Sequence, residues 1–460
     1  MITQTNERWD NDVLHQLDVL TGNDFEVVDT SMLMVDPNSG EGKLVSGFPE
    51  QSNVERKENS TKWLTRFLIP ILIFTGIGLR FAGLNFLSID LRYYILGWYN
   101  KLAMDGFAAL REPFSNYPPP YLYLLFLLTK TAGFLPKVAA IKLLSICFDF
   151  LSVFLVYKIL KIKYPQGRMA LIGAASFLLL PTVLLNSAYW GQSDAIYTFF
   201  FLACLYFLMK EQPLLAMIFL AVSFSFKPQS AFLGPLVLLL IVKKKIPWFY
   251  LGIVPLVYTL LMIPAILTGR PLLELLTIYG GEAYIYRKFS MHAPNLYLFI
   301  PDNLYNHTNL LIGLMIAVII ALLWTTIYAR KIKEFTPDTI LLCTFVSVAF
   351  MPFFLPKMHD RYFYLAEVLS FLAALYFPQG RGWLLAIGYQ LVSGLTYSVF
   401  LIESVMPLRL AVTRNILMIA AVINTVLMGF IFWKQWKLID NNARNRYTLH
   451  LTPDTQIHDI

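Results

Sequence analysis

The sequence predicts an all-α polytopic membrane protein of about twelve transmembrane helices, with juxtamembrane helices in the first external loop. Three observations carry that expectation. Hydrophobic residues make up 57% of the 460 and charged residues only 14%, and the mean hydropathy is positive, which excludes a soluble enzyme with one large core. Apolar runs of roughly spanning length recur from Trp63 onward. Lys and Arg gather in alternate short connections between those runs, as the positive-inside rule requires.

Residues 1–61 hold twelve acidic against four basic side chains and show no sustained apolar periodicity. They are expected to form a disordered acidic cytoplasmic tail, without a signal peptide. Residues 62–433 form the membrane domain, with external loops 85–137 and 268–307, and 434–460 form a second cytoplasmic tail. The first span is 63–84. The apolar stretch 119–134 is decisive for topology. As a helix it reaches about 24 Å, short of the roughly 30 Å hydrocarbon core, and it contains Lys130. Kept out of the membrane as a re-entrant or juxtamembrane helix, it is followed by spans near 138–160, 169–188, 194–209, 213–226, 229–242, 246–267, 308–329, 338–355, 362–377, 383–402 and 409–433. Lys161, Lys163, Arg168, Lys243, Lys244, Lys245, Arg330, Lys331, Lys333, Arg381 and the run Lys434 to Arg446 then share the side of the N-terminal tail. Counting 119–134 as a span would invert all of them. The basic balance of the membrane part reflects orientation, not nucleic-acid binding. Cys147, Cys204 and Cys343 lie in apolar runs and act as small hydrophobes, with no disulfide framework or metal-ligand spacing.

The same assignment brings the unusual polar motifs to the external face. Asp90 follows the first span immediately. Read as one helix, 88–106 places Asp90, Tyr94, Trp98, Lys101 and Asp105 on a polar face and Ile89, Tyr93, Leu96 and Ala103 on the other. Asp90 is therefore either a helix N-cap at the water boundary or a catalytic base. Trp190-Gly191-Gln192-Ser193-Asp194 interrupts two apolar runs. It suits an interfacial aromatic belt with an N-cap, or a sugar that stacks on Trp190 and hydrogen-bonds Gln192 and Asp194. Lys227-Pro228-Gln229 places a lysine at headgroup level, either snorkelling or offered to a lipid phosphate. Lys357, His359 and Arg361, with Asp360 beside them, form a denser basic cluster suited to phosphate. Asp149 lies inside a span, where an acid is by default paired or functional, and Lys142 is too far along the helix to pair with it. His292, His307 and His359 show no i, i+4 pairing and no HExxH pattern, so neither a metal nor a cofactor is expected.

Together, Asp90 after the first span, Asn116-Tyr117-Pro118-Pro119, Trp190-Gly191-Gln192-Ser193-Asp194, Lys227-Pro228-Gln229 and Met358-His359-Asp360-Arg361-Tyr362 resemble the GT-C superfamily of polytopic glycosyltransferases. The resemblance covers about residues 63–402. It is nearest to bacterial relatives of the GPI-anchor mannosyltransferases and to the dolichyl-phosphate-glucose-dependent glucosyltransferases. It implies metal-independent, inverting transfer of a hexose, mannose or glucose, from a polyprenyl-phosphate donor to a lipid-linked or glycan acceptor on the external face. Asp90 matches the family's general base, and Asn116, Tyr117, Trp190, Gln192, Asp194, Lys227, Gln229, His359 and Arg361 would contact substrate. Some relatives carry Asp where this chain has Asn116, which leaves Asp90 more alone. A bacterial plasma membrane is the expected location, or the ER membrane in a eukaryote. The alternatives are a secondary transporter or lipid flippase, which would place polar groups at the bilayer midplane within repeated halves, and a membrane scaffold without a catalytic cavity.

Overall fold

The computed structural model describes residues 50–165, 167–282, 287–378 and 381–449. These described residues are helical almost throughout. Helix α1 (Glu50–Gly83) leads through a widened π-turn at Leu91–Ile95 into α2 (Leu96–Asp105). Helix α3 (Pro119–Thr129) starts on the proline triplet, whose fixed φ and missing N–H suit a first turn. Helix α4 (Lys137–Lys163) follows, then α5 (Met169–Phe177), which breaks before Pro181 and resumes as α6 (Pro181–Leu184). The chain continues through α7 (Asp194–Met209), α8 (Pro213–Phe226), α9 (Gly234–Val242) and α10 (Ile253–Leu267). Helices α11 (His307–Lys331), α12 (Pro337–Phe354), α13 (Tyr364–Tyr376), α14 (Gly382–Glu403) and α15 (Leu410–Leu449) complete it.

Seven described helices are long and apolar enough to cross a membrane, and an eighth is formed if the 41° bent pair Met169–Phe177 and Pro181–Trp190 is one span. The described residues are thus those of a helical protein with several helices of membrane-spanning length, in keeping with an all-α polytopic membrane protein. Helices α7, α8 and α13 have 16, 14 and 13 residues, about 20–24 Å of rise. Helix α3 has 11 residues, fewer than the 119–134 stretch offered.

Two sequence expectations are corrected. Residues 50–61, assigned to a disordered tail, are helical and continuous with the first span, and α15 carries the last span on to Leu449; 1–49 and 450–460 lie outside the described residues. The second correction concerns 88–106. The buried stripe is Leu91, Ile95, Trp98, Tyr99 and Leu102, while Tyr93 is 70% exposed. The π-turn at 91–95 takes an extra residue per turn, so a 3.6-residue face does not run through it. Trp98 turns inward because it packs on Tyr117 and Tyr121, with ring centroids 5.1 and 6.4 Å away. Within the segment 268–307, β1 (Ser290–Met291) pairs in parallel with β2 (Met358–His359), and Lys357 N donates to Phe289 O at 2.5 Å.

Two buried ionic groups tie the first helix to α4. Arg80 reaches Asp149 Oδ2 through Nε at 3.1 Å and Nη2 at 2.9 Å, and caps the Leu178 carbonyl at 2.8 Å. Asp149 is thus paired across helices, and Ser187 donates to the same oxygen at 2.5 Å. Lys142 donates to the carbonyls of Gly83 and Phe86 at 2.7 and 2.6 Å, which satisfies the end of α1 just before Asp90.

Candidate active site

Asp90 sits where Ser88 anchors the start of the π-turn. Ser88 Oγ donates to the Trp190 carbonyl at 2.6 Å and accepts from Leu91 N at 3.2 Å, and Ile89 N donates to Ser404 Oγ at 3.1 Å. Asp90 itself makes no capping hydrogen bond, so the N-cap reading of this residue is not what the fold uses. Instead Asp90 Oδ2 accepts from Trp190 Nε1 at 2.9 Å and from Gln192 Nε2, and lies 3.6 Å from Arg361 Nη1. Among the described residues every donor to this carboxylate reaches Oδ2, which leaves Oδ1 available.

The Trp190–Asp194 segment can do this because Gly191 takes a left-handed conformation, φ +76°. That turn ends the π-helical stretch Leu185–Trp190 and directs Trp190 and Gln192 to the same carboxylate. A Cβ on Gly191 would meet Leu91 Cδ1 at 2.6 Å, so both the space and the conformation call for glycine. Trp190 is fully buried, stacked on Phe400 with ring centroids 4.2 Å apart and edge-on to Tyr397 at 5.0 Å. It is a fixed indole N–H, not an open platform for a sugar.

Lys227, Gln229, His359 and Arg361 line the same cavity as Asp90, Asn116, Tyr117, Trp190 and Gln192. Its volume is about 970 Å³, at the upper end for a small-molecule site. Asn116 is exposed on it and Gln229 is buried, with its side-chain carbonyl lacking a partner. The basic cluster differs electrostatically from what the sequence offered. Lys227 Nζ is held by Asp194 Oδ1 at 2.6 Å, and Asn186 holds the other Asp194 oxygen at 2.8 Å. Asp194 is buried behind Lys227 and does not line the cavity, so its expected substrate contact is corrected to an ion pair. His359 is not a cation: burial, and then the charges of Arg361, His292, Lys227 and Lys357, push it down to about 3. Burial raises Asp360 to about 7 against the opposing charge of Arg361. The positive charge on the cavity therefore comes from Arg361, Lys357 and Lys288, with Lys227 available once it leaves Asp194.

Sequence reasoning missed Glu403, the last residue of α14, which lines the cavity and accepts from Thr413 Oγ1 at 3.0 Å. Its neighbour Ser404 bonds Ile89, the neighbour of Asp90, so two carboxylates stand on one wall. The available signal was its place: like Asp90, it follows an apolar run directly. Lys288 was missed for lack of any motif, and Tyr94, placed on the face of Asp90, and His292, weighed only as a metal ligand, were not assigned to the site. Among the described residues no group of three His, Cys, Asp or Glu side chains has the arrangement of a metal site.

Comparison of the sequence with protein-family models and with curated proteins finds no match.

Proposed function

We propose that the chain is a membrane glycosyltransferase of GT-C type, which transfers a hexose from a polyprenyl-phosphate donor to a hydroxyl of a lipid-linked or glycan acceptor. The observation that carries this reading is the state of Asp90: Oδ2 accepts hydrogen bonds from Trp190 and Gln192 and faces Arg361, while no donor among the described residues reaches Oδ1, in a cavity that also presents Arg361, Lys357 and Lys227.

In the proposed reaction, Asp90 Oδ1 takes the proton of the acceptor hydroxyl as its oxygen attacks the anomeric carbon from the face opposite the phosphate. The bond from the anomeric carbon to the phosphate oxygen breaks, with inversion. The leaving polyprenyl phosphate is already acidic and needs cations instead of a proton donor, a need that Arg361 and Lys227 meet. Asn116 and Tyr117 contact the sugar from one side, and Gln229 and the neutral His359 serve as hydrogen-bonding groups.

Topologically, the reading counts the seven long helices, the bent pair and the shorter helices α7, α8, Pro228–Val242 and α13 as twelve crossings. The segments before the first and after the last are cytoplasmic, and the cavity opens to the external side of a bacterial plasma membrane. The cavity also weakens the transporter and flippase alternative, because its polar groups belong to one cluster of loops and helix ends. The test is an assay of purified protein with a panel of polyprenyl-phosphate hexoses and lipid-linked acceptors: transfer from at least one donor supports the reading, and none from any, with the protein folded, contradicts it.

A further inference from the structure

Gln192 is joined to both halves of the cavity. Its side-chain carbonyl accepts from Tyr117 Oη at 2.9 Å and from Lys227 Nζ at 3.5 Å, and its amide nitrogen donates to Asp90 Oδ2. The orientation of this amide is forced. An ammonium has no acceptor and a carboxylate has no donor, so only one of the two flips satisfies Lys227 and Asp90 together. The residue is 1% exposed, and its backbone carbonyl is held by Ser145 Oγ at 2.6 Å. Both side-chain polar atoms are thus engaged by the protein, and little surface is left to give a sugar.

We propose that Gln192 is a positioning residue and not a substrate contact: it ties the hydroxyl of Tyr117 to the carboxylate of Asp90 and holds Oδ2 so that Oδ1 is the oxygen presented to the acceptor. This rests on the reading of Asp90 as base for its catalytic meaning, but the coupling itself does not. Tyr117 and Asp90 share no hydrogen bond with each other. Their interaction runs through the polarised amide between them, and such chains of hydrogen bonds are measurably coupled.

The experiment is a mutant cycle on thermal unfolding of the full chain in detergent, without substrate. Tyr117→Phe and Asp90→Asn should be non-additive in the wild-type background, the double variant losing less than the sum of the singles. In a Gln192→Leu background, or Gln192→Ala if Leu does not fold, the same pair should become additive. Additivity with Gln192 in place would overturn the proposal. On the verified transfer reaction, Gln192→Leu should lower kcat about tenfold or more, the size of one charge-assisted hydrogen bond, with the donor and acceptor KM within about twofold. A large rise in KM at unchanged kcat would instead make Gln192 a substrate contact and overturn the proposal. If wild type transfers no hexose, the enzyme reading fails while the unfolding cycle still decides the role of Gln192.

Discussion

Arg361 Nη1 stands 3.6 Å from Asp90 Oδ2, with the guanidinium carbon 5.7 Å from the centre of the Trp190 ring. One side chain thereby touches both the carboxylate and the indole that orients it. Its Nε is buried without a hydrogen-bond partner. The planar fork serves stacking and bidentate contact together, which an ammonium cannot do. Arg361→Lys is therefore expected to lower kcat by about 10²-fold, the order seen when one donor to a developing anion is lost, although the charge is retained. Steady-state kinetics with a verified donor check this; a variant within threefold of wild type would remove Arg361 from the mechanism.

The pH dependence of stability separates two buried neighbours in one loop. Asp360 is raised to about 7 from an ordinary value of about 3.9, so its contribution is present below about pH 4 and is lost as pH rises through about 7. His359 is lowered to about 3 from about 6.5, so its contribution is present above about pH 6.5 and is lost as pH falls toward 3. Between about pH 4 and 6.5 the two slopes oppose each other. In that window Asp360→Asn should leave a Tm that rises with pH, and His359→Gln one that falls. Thermal unfolding between pH 4.5 and 6.5 checks both signs, and parallel profiles for the two variants would contradict the assignment.

Orientation is testable at exposed sites. Gln192 is too buried to report on sidedness, whereas Asn116 and Lys244 are exposed. With Cys147, the exposed native thiol, first replaced, a cysteine at Asn116 should react with an impermeant maleimide on intact cells and one at Lys244 should not. The reverse pattern would invert the topology.

The helices were legible because apolar runs and the flanking Lys and Arg are local features. The candidate site was legible as a set of residue types, since Asp90, Trp190, Gln192, Lys227 and Arg361 share one cavity. Their states were not. Asp194 faces Lys227 only because α7 and α8 pack side by side, and the Arg80 to Asp149 pair joins residues 69 apart that no spacing rule links. The loss of charge at His359 is a product of burial, which no local pattern records. The misread face of 88–106 came from assuming regular α-helix where a π-turn intervenes.

Turnover of Asp90→Asn tests the central claim most directly. The substitution keeps the shape and an acceptor oxygen for Trp190 and Gln192 but removes the base. Transfer should fall by at least about 10²-fold, with the protein still folded and donor binding close to wild type. Near-normal turnover of a folded Asp90→Asn protein, with a donor and acceptor that wild type uses, would contradict the account and turn attention to Glu403, the other carboxylate on that wall.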